Sequence, residues 1–253
     1  MTVTMLNQLQ FITPNWKAPN TVHAYTTTRN SGVSQDRYAS LNLSINVGDD
    51  PTHVKENRHL LSQALALPSE PHWMQQVHGN YVVEAETITA NTQADASYTH
   101  QPQQICVVQT ADCLPILLTN LAGSVVAAIH GGWRSLQQGI ISKTIAAMQT
   151  DPKQLLAWLG PAIGPKRFEV GPEVRAAFIG SAAEHEIAFK PGNSDRWYAD
   201  IYCLARQQLC FAQVTEITSG EHCTMSEPEL FYSYRRDGVT GRLATLIWIA
   251  ASN

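Results

Sequence analysis

The fold is decided by the stretch Cys113-Leu114-Pro115-Ile116-Leu117-Leu118-Thr119-Asn120-Leu121-Ala122-Gly123-Ser124-Val125-Val126-Ala127-Ala128-Ile129-His130. Residues 113–119 are apolar, residues 120–123 have the composition of a turn, and residues 124–129 are again rich in small and β-branched side chains. The stretch therefore predicts a β-hairpin with Cys113 at the start of one strand and His130 at the end of the other. Because those positions are neighbours in an antiparallel pair of equal-length strands, the hairpin alone brings a thiol and an imidazole together.

A second histidine with the same ligand chemistry lies upstream, in Gln76-Val77-His78-Gly79. His78 precedes one glycine and His130 precedes two, so both imidazoles are predicted where a strand ends and the backbone turns. Two imidazoles and a thiolate form a ligand set that Zn²⁺ accepts, and three protein ligands leave a position for water or substrate. The sequence thus predicts a catalytic zinc site at His78, Cys113 and His130. Taken singly, each residue also fits an ordinary loop histidine or a buried cysteine.

Further motifs accompany these three along nearly the whole chain: Thr28-Arg29, Ser40-Leu41-Asn42-Leu43, Val47-Gly48-Asp49-Asp50, Glu56-Asn57-Arg58, Leu159-Gly160-Pro161-Ala162-Ile163-Gly164-Pro165 and Ser233-Tyr234-Arg235-Arg236-Asp237-Gly238-Val239-Thr240-Gly241-Arg242. With them the chain resembles the YfiH family, also called DUF152 or the multicopper polyphenol oxidase (laccase-domain) family. The resemblance implies a metal held by the same His, Cys and His. It also implies an α/β (α+β) fold, a single-domain layered sandwich of mixed β-sheets enclosed by helices, with one domain expected over residues 1–253.

The resemblance implies a zinc-dependent purine nucleoside phosphorylase that acts on adenosine, inosine and S-methyl-5'-thioadenosine, with adenosine deaminase activity at the same site. The expected partners are a small-molecule nucleoside and phosphate. Phosphate must be held by cations or N–H groups, and we expect substrate-binding residues at Arg29, Asn42, Arg58, Gln76 and Arg134, with the turn at Gly131-Gly132 as a further anion site. Any single arginine also fits a surface ion pair. Arg235-Arg236 fit a solvated turn as well as they fit an anion site.

Asp112 is the candidate catalytic residue, because it adjoins the ligand thiolate. Zinc deaminases use a glutamate that is not a ligand as general acid and base, but no His-x-Glu occurs beside either ligand histidine. Asp112 takes that role, or it orients a ligand imidazole. The sequence does not decide between the two.

Three other functions use the same residues. Cys113 as nucleophile with His130 as base would form a cysteine hydrolase or amidase. The family resemblance implies a fold relationship to the toxin deamidase of cytotoxic necrotizing factor, and also a role in peptidoglycan-precursor editing that would use the same residues. His78 distinguishes the cysteine-hydrolase hypothesis from the metal-site hypothesis, since a metal site needs His78 as a ligand and a Cys-His dyad does not need it. Copper-dependent phenol oxidation requires several coppers, and nine scattered histidines with no His-x-His pair suit it less, although copper is a possible metal. A purely structural zinc requires a fourth ligand, for which His222 and Cys223 are the candidates.

Composition sets the class of protein. Hydrophobic residues make up 44% and charged residues 15%, which supports a buried core and excludes a disordered chain. The net charge of −4 argues against nucleic-acid binding. No apolar run is long enough for a membrane span, residues 1–16 show no secretory signal, and no protein partner is evident. Five cysteines without a signal predict the reducing cytoplasm, with Cys106, Cys203 and Cys210 as core residues.

The remaining elements follow from capping and periodicity. Asp50-Pro51 is typical of a helix start, and the apolar pattern predicts a helix to about residue 66. Further helices are predicted over residues 135–148, 172–179 and 201–211, and strands over residues 155–159 and 243–250.

Overall fold

The computed structural model describes residues 2–251. Its strands, in chain order, are β1 (Thr2–Leu6), β2 (Leu9–Thr13), β3 (Val22–Thr27), β4 (Val82–Glu84), β5 (Ala96–Thr99), β6 (Ile105–Thr110), β7 (Leu114–Asn120), β8 (Val126–Gly131), β9 (Leu155–Leu159), β10 (Glu169–Val170), β11 (Phe189–Pro191), β12 (Trp197–Ala199), β13 (Glu216–Ser219) and β14 (Leu243–Ile249). Its α-helices are α1 (Pro51–Leu65), α2 (Trp133–Gln137), α3 (Ile140–Ala147), α4 (Pro172–Ser181), α5 (Ile201–Phe211) and α6 (Tyr234–Asp237).

Two large sheets form the centre of the fold. One has the strand order β1-β2-β3-β14-β6 and is antiparallel throughout, and the other has the order β13-β9-β7-β8-β5-β4. The second sheet is mixed, because β13 runs parallel to β9 and β4 parallel to β5. A small antiparallel sheet of β10, β12 and β11 lies beside them. The predicted α/β class with layered sheets and outer helices is confirmed, although only one of the three sheets is mixed.

Alternating side chains of each central strand face different layers. In β14, Leu243 and Ile247 pack between the two sheets, whereas Leu246 packs on the outer side with Leu61 of α1. In β7, Leu117 faces the other sheet and its neighbours face α2 to α5. The result is a helix–sheet–sheet–helix sandwich in which both sheets are covered on both faces, as their near-continuous apolar strands require.

The predicted hairpin is confirmed. Strands β7 and β8 pair antiparallel, with Leu114 opposite Gly131 and Pro115 opposite His130. Asn120 closes the turn, since its side chain accepts a hydrogen bond from the Ser124 N–H at 2.9 Å. The register therefore places Cys113, which directly precedes β7, beside the end of β8, where His130 lies.

Five further elements match their predicted bounds within two residues, namely α1, α4, α5, β9 and β14, and one differs. Helix α1 begins after Asp50, whose side chain accepts a hydrogen bond from the Thr52 N–H, and strand β9 and helix α5 have the predicted bounds. The single helix predicted over residues 135–148 is instead two helices, because Gly139 adopts a left-handed backbone with φ of 78°. No helix within residues 2–251 is long and apolar enough to cross a membrane.

Candidate metal centre

Three side chains meet at one end of the two central sheets. The ligand atoms of His78, Cys113 and His130 all lie within 4.8 Å of one another, and Sγ of Cys113 is 3.8 Å from Nε2 of His78. Among the residues that the structure describes, this is the one group of three or more potential metal ligands. The structure therefore brings together the three side chains that the sequence predicted as metal ligands.

The hairpin and a preceding loop deliver these ligands. Cys113 directly precedes β7 and His130 lies in β8, so the antiparallel register sets their separation. His78 lies in a loop and has a left-handed backbone with φ of 58°, a conformation that is uncommon for residues other than glycine. His130 is buried, Cys113 is half-buried and His78 is exposed, so the group opens to one side.

Asp95 connects two of the ligands and was not predicted from the sequence. Its carboxylate is fully buried and accepts a hydrogen bond from Nδ1 of His130 at 2.8 Å. The N–H groups of Val77, His78 and Gly79 donate to the same carboxylate. Burial raises the pKa of Asp95, but its hydrogen bond and charge interaction with His130 and the bonds from the loop outweigh burial and hold this pKa below its usual value.

Cys113 and His130 shift each other's pKa. Burial raises the pKa of Cys113, but the attraction of His130 and hydrogen bonds with both histidines lower it to about 6. Burial lowers the pKa of His130, but the Cys113 charge and the bond to Asp95 raise it to about 9. The two histidines therefore favour the thiolate form of Cys113, which is the form that binds metal or acts as a nucleophile.

The donor set fits zinc. A tetrahedral zinc holds sulfur at about 2.3 Å and nitrogen at about 2.0 to 2.1 Å, so two such ligands lie about 3.6 Å apart. The observed separation of 3.8 Å between Cys113 and His78 is close to that value. Gly132 keeps the space beside His78 and Cys113 free of a side chain, since a Cβ there would lie 3.0 Å from Cδ2 of His78 and 3.4 Å from Sγ of Cys113.

The group lies in the wall of a cavity of about 460 Å³. Its apolar lining comes mainly from Val47, Met74, Trp133, Ile163, Phe168 and Ile201. Its polar lining includes Ser44, Asn46, Gln109, Tyr234 and three arginines, Arg134, Arg235 and Arg242. The cavity thus combines three potential metal ligands, an apolar surface and positive charge.

Two of the three arginines predicted to bind substrate lie elsewhere. Arg29 donates to the carbonyl oxygens of Ala39 and Pro228 and lies over the Tyr232 ring. Arg58 donates twice to the Leu43 carbonyl oxygen and stacks on Trp73, and burial lowers its pKa to about 10. Neither residue lines the cavity, and the carbonyls and rings that their guanidinium groups contact lie outside its lining as well.

The other substrate-binding candidates divide in the same way. Arg134 and Gln76 line the cavity, but the Gln76 amide is paired with the backbone N–H and C=O of Gln109. Asn42 is buried outside the cavity lining and accepts a hydrogen bond from the Arg242 N–H at 2.9 Å. Asn42 therefore contacts the backbone of Arg242, which lines the cavity, but does not line the cavity itself.

Asp112 lines the cavity, and its carboxylate is already engaged. Oδ1 accepts a hydrogen bond from the Thr224 hydroxyl, and Oδ2 accepts from the Ser233 hydroxyl and the Arg235 N–H. The hydrogen bonds of Asp112 therefore connect the segment that carries Cys113 to α6. Asp112 does not orient the His130 imidazole, because Asp95 does so. The acid–base role of Asp112 stays a prediction.

His222 and Cys223 do not join the ligand group. His222 pairs with Glu227 at 2.7 Å, and Sγ of Cys223 accepts a hydrogen bond from the Gly164 N–H. The group thus keeps three ligands within the described part of the chain, as an open site requires.

Arg235 and Arg242 line the cavity; the sequence left Arg235 open between an anion site and a solvated turn and assigned no role to Arg242. Both lie in the tail motif that carries the family resemblance, and only the structure shows which of its arginines face the cavity. Arg236, by contrast, pairs with Asp237 and donates to nearby backbone carbonyls. Asp95 gave no sequence signal, since a single carboxylate between two alanines fits any strand end.

The fold and the site together define a class: a two-sheet α/β sandwich with a group of three potential metal ligands open to a cavity. Residues 23–250 match the family described as multi-copper polyphenol oxidoreductase laccase. The chain belongs to this family, also known as DUF152 or YfiH, which confirms the resemblance read from the motifs.

Relatives agree over nearly their whole length. The Escherichia coli (strain K12) protein named purine nucleoside phosphorylase YfiH is 48% identical over 241 residues, which cover 95% of this chain and 99% of that protein. A Haemophilus influenzae protein named purine nucleoside phosphorylase is 44% identical, again covering 95% of this chain and 99% of that protein. The crystal structure of a Neisseria meningitidis DUF152 protein superposes with a TM-score of 0.92 at 45% identity and covers 95% of this chain and 99% of that one.

Proposed function

We propose that this chain is a zinc-dependent purine nucleoside phosphorylase that acts on adenosine, inosine and S-methyl-5'-thioadenosine and also deaminates adenosine. The observation that carries the proposal is the His78, Cys113 and His130 group in the wall of a cavity that also holds three arginines. The names of relatives 44% to 48% identical over nearly the full chain support the same activity.

The cavity suits a nucleoside and phosphate. Its volume of about 460 Å³ lies in the usual range for small-molecule sites, and its apolar lining offers a surface for a purine. Arg134, Arg235 and Arg242 supply the positive charge that phosphate requires. We assign the phosphate to these three, in place of Arg29 and Arg58.

In phosphorolysis, a phosphate oxygen bonds to C1' of the ribose as the bond from C1' to N9 of the purine breaks. The electron pair of that bond stays on the purine, which takes up a proton, and ribose 1-phosphate forms. In deamination, water adds at C6 of adenosine, ammonia leaves and inosine forms. The arginines hold and orient phosphate, and the apolar lining excludes bulk water from the base.

His78, Cys113 and His130 would hold the zinc. When bound, zinc supplies Lewis-acid polarisation of an electrophile or a lowered pKa for water. Copper is the alternative metal that the same ligands accept. One three-ligand group within residues 2–251 suits a single metal better than a multi-copper cluster.

One observation favours a second candidate, a cysteine hydrolase or amidase that acts on a deamidase-type or peptidoglycan-precursor substrate. Cys113 lies beside His130, whose charge lowers the pKa of the thiol, and Asp95 orients the imidazole from its far side. Nucleophile, base and orienting carboxylate are the parts of a catalytic triad. His78 has no required place in that arrangement.

All five cysteines are free thiols, which agrees with the reducing cytoplasm that we propose as its location. We expect a nucleoside and phosphate as the partners, with no nucleic acid, membrane or protein partner needed for the reaction.

The proposal is tested by metal analysis of purified protein and by chromatography of products from adenosine with and without phosphate. We expect about one zinc per chain, adenine and ribose 1-phosphate only when phosphate is present, and inosine in both conditions. Adenine release that is independent of phosphate would indicate hydrolysis and contradict phosphorolysis. Full turnover by metal-free protein on an amide substrate would favour the Cys113 hydrolase.

A further inference from the structure

One buried carboxylate holds two of the three metal ligands. Oδ1 of Asp95 accepts hydrogen bonds from Nδ1 of His130 at 2.8 Å and from the His78 N–H at 2.9 Å. Oδ2 accepts from the Gly79 N–H at 2.7 Å and the Val77 N–H at 3.3 Å. The His130 N–H also donates to the Asp95 carbonyl oxygen at 2.7 Å. A single oxygen atom therefore contacts both ligand histidines.

We propose that Asp95 is the positioning residue of the metal centre and that it sets the metal affinity by fixing both histidines at once. The inference rests on the zinc site of the proposed function. It concerns a residue that touches neither substrate nor metal and acts only through the ligands.

The hydrogen bond between Asp95 and His130 selects the imidazole tautomer that can bind metal through Nε2. Because Nδ1 donates to Asp95, its proton is fixed there and Nε2 is the ring nitrogen left to act as a ligand. Second-layer carboxylates of this kind fix the orientation of a ligand imidazole and raise its basicity.

The bonds to the loop fix His78, which packing alone does not hold. The His78 side chain is exposed, and its backbone has a left-handed φ of 58° that costs free energy for a residue with a Cβ. Three successive N–H groups converge on the Asp95 carboxylate and offset that cost. Without the carboxylate, the loop has no comparable reason to keep the imidazole beside Cys113.

Cys113 is positioned independently, because the register of β7 and β8 sets its place. Loss of Asp95 should therefore weaken metal binding through the two histidines and leave the thiolate ligand in position. This separation gives the proposal a spectroscopic signature that a general loss of folding would not produce.

The test is Asp95→Asn, which keeps the shape of the side chain and removes its charge and one acceptor. Zinc affinity is measured by competition with a chromophoric chelator, and Co²⁺ absorption reports the ligand field. We expect zinc binding about 10- to 100-fold weaker, the usual effect of losing such a partner. The thiolate-to-cobalt charge-transfer band should persist, while the ligand-field bands change.

Asp49→Asn is the matched control. Asp49 has a side chain that is 4% exposed and accepts hydrogen bonds from Ser34 and Asn42, but it contacts no ligand. We expect it to lower the melting temperature of metal-free protein without changing zinc affinity.

The inference is overturned if Asp95→Asn binds zinc within twofold of the parent, or if Asp49→Asn weakens binding as much. If Asp95→Asn does not fold, Asp95→Glu keeps the charge and moves the carboxylate by one methylene; it should still bind zinc more weakly, and parental affinity would overturn the inference. A parent protein that binds no zinc would instead contradict the zinc part of the proposed function.

Discussion

Sγ of Cys113 lies 3.8 Å from Nε2 of His78, although the two residues are 35 positions apart in the chain. His130 approaches the same sulfur from β8, and all three ligand atoms fall within 4.8 Å of one another. A hydrolase dyad needs only the contact between Cys113 and His130, whereas a metal centre needs His78 as well. The exposed loop histidine is therefore the residue that separates the two mechanisms.

Changing His78 to Ala should reduce bound zinc and abolish both phosphorolysis and deamination, because two protein ligands hold zinc poorly. Metal content, chromatographic product analysis and thermal melting check this outcome, and the fold should persist since the side chain is exposed. His59→Ala on the exposed side of α1 is the control and should behave like the parent. Full activity in the His78→Ala protein would refute the metal site and favour the dyad of Cys113 and His130.

The cavity arginines should control the affinity for phosphate. Arg235→Ala removes a cation that lines the cavity. A hydrogen bond to a charged group is worth about 1.5 to 3 kcal/mol, so the KM for phosphate should rise about 10- to 100-fold. The deamination rate, which uses no phosphate, should change much less, and steady-state kinetics of both reactions measure the difference.

Arg58→Ala is the contrasting variant, because Arg58 lies outside the cavity and supports the Leu43 carbonyl oxygen and the Trp73 ring. It should lower the melting temperature and leave the KM for phosphate near that of the parent. The reverse pattern, with phosphate affinity lost in Arg58→Ala and kept in Arg235→Ala, would restore the assignment made from the sequence.

The proximity of Cys113 and His130 could be predicted from the sequence because their separation depends on local structure. The apolar runs on either side of residues 120–123 determine the hairpin, and its register brings Cys113 to His130 without any long-range assumption. The same holds for α1 and α5, whose acidic caps, Asp50 and Asp200, are visible in the sequence. That residues 1–253 form one domain stays a prediction.

The parts that the sequence did not reveal depend on contacts between distant segments. Asp95 acquires its role only when β5 lies beside β8 and the loop at His78 folds over its carboxylate. Arg58 and Arg242 are indistinguishable by residue type, and only the packing of α1 against the outer face of one sheet directs Arg58 away from the cavity. Similarly, the break at Gly139 depends on a left-handed backbone that helical periodicity does not exclude.

The cysteines should differ sharply in reactivity. Cys106 is fully buried, and burial raises its pKa to about 12, so roughly 10⁻⁴ of it is thiolate at pH 8. Cys210 is exposed, contrary to the core position predicted from its spacing with Cys203, which is half-buried. An alkylating reagent at pH 8 should label Cys210 and leave Cys106 unmodified until the protein unfolds, as peptide mass spectrometry would show. Labelling of Cys106 in the folded protein as fast as Cys210 would contradict its burial.

The raised pKa of Cys106 also fixes the sign of a stability change with pH. Below about pH 9 the thiol keeps its proton in both states, so it adds no pH dependence. Between about pH 9 and pH 12 the unfolded thiol loses its proton while the folded one keeps it, and the free energy of unfolding falls as pH rises. Urea unfolding of the parent and of Cys106→Ala at pH 8 and pH 10 isolates this contribution, which should be smaller in the variant.

Asp112 should matter to chemistry more than to metal retention. Asp112 lines the cavity next to Cys113, and the hydrogen bonds of its carboxylate go to Thr224, Ser233 and the Arg235 N–H and not to a ligand imidazole. Asp112→Asn keeps the shape and removes the charge, so a lost general acid and base should lower the maximal deamination rate by roughly 10²-fold or more. Zinc content should stay near that of the parent, because Asp95 orients His130.

The Thr224→Val protein serves as the control for the structural hydrogen bonds of Asp112, since it removes one partner of Asp112 and keeps the carboxylate. If Thr224→Val lowers the deamination rate as much as Asp112→Asn does, the role of Asp112 is to hold α6 against the segment that carries Cys113. If the Asp112→Asn protein loses its zinc, Asp112 supports the metal ligands. If Asp112→Asn changes neither the rate nor the zinc content, Asp112 is dispensable to both.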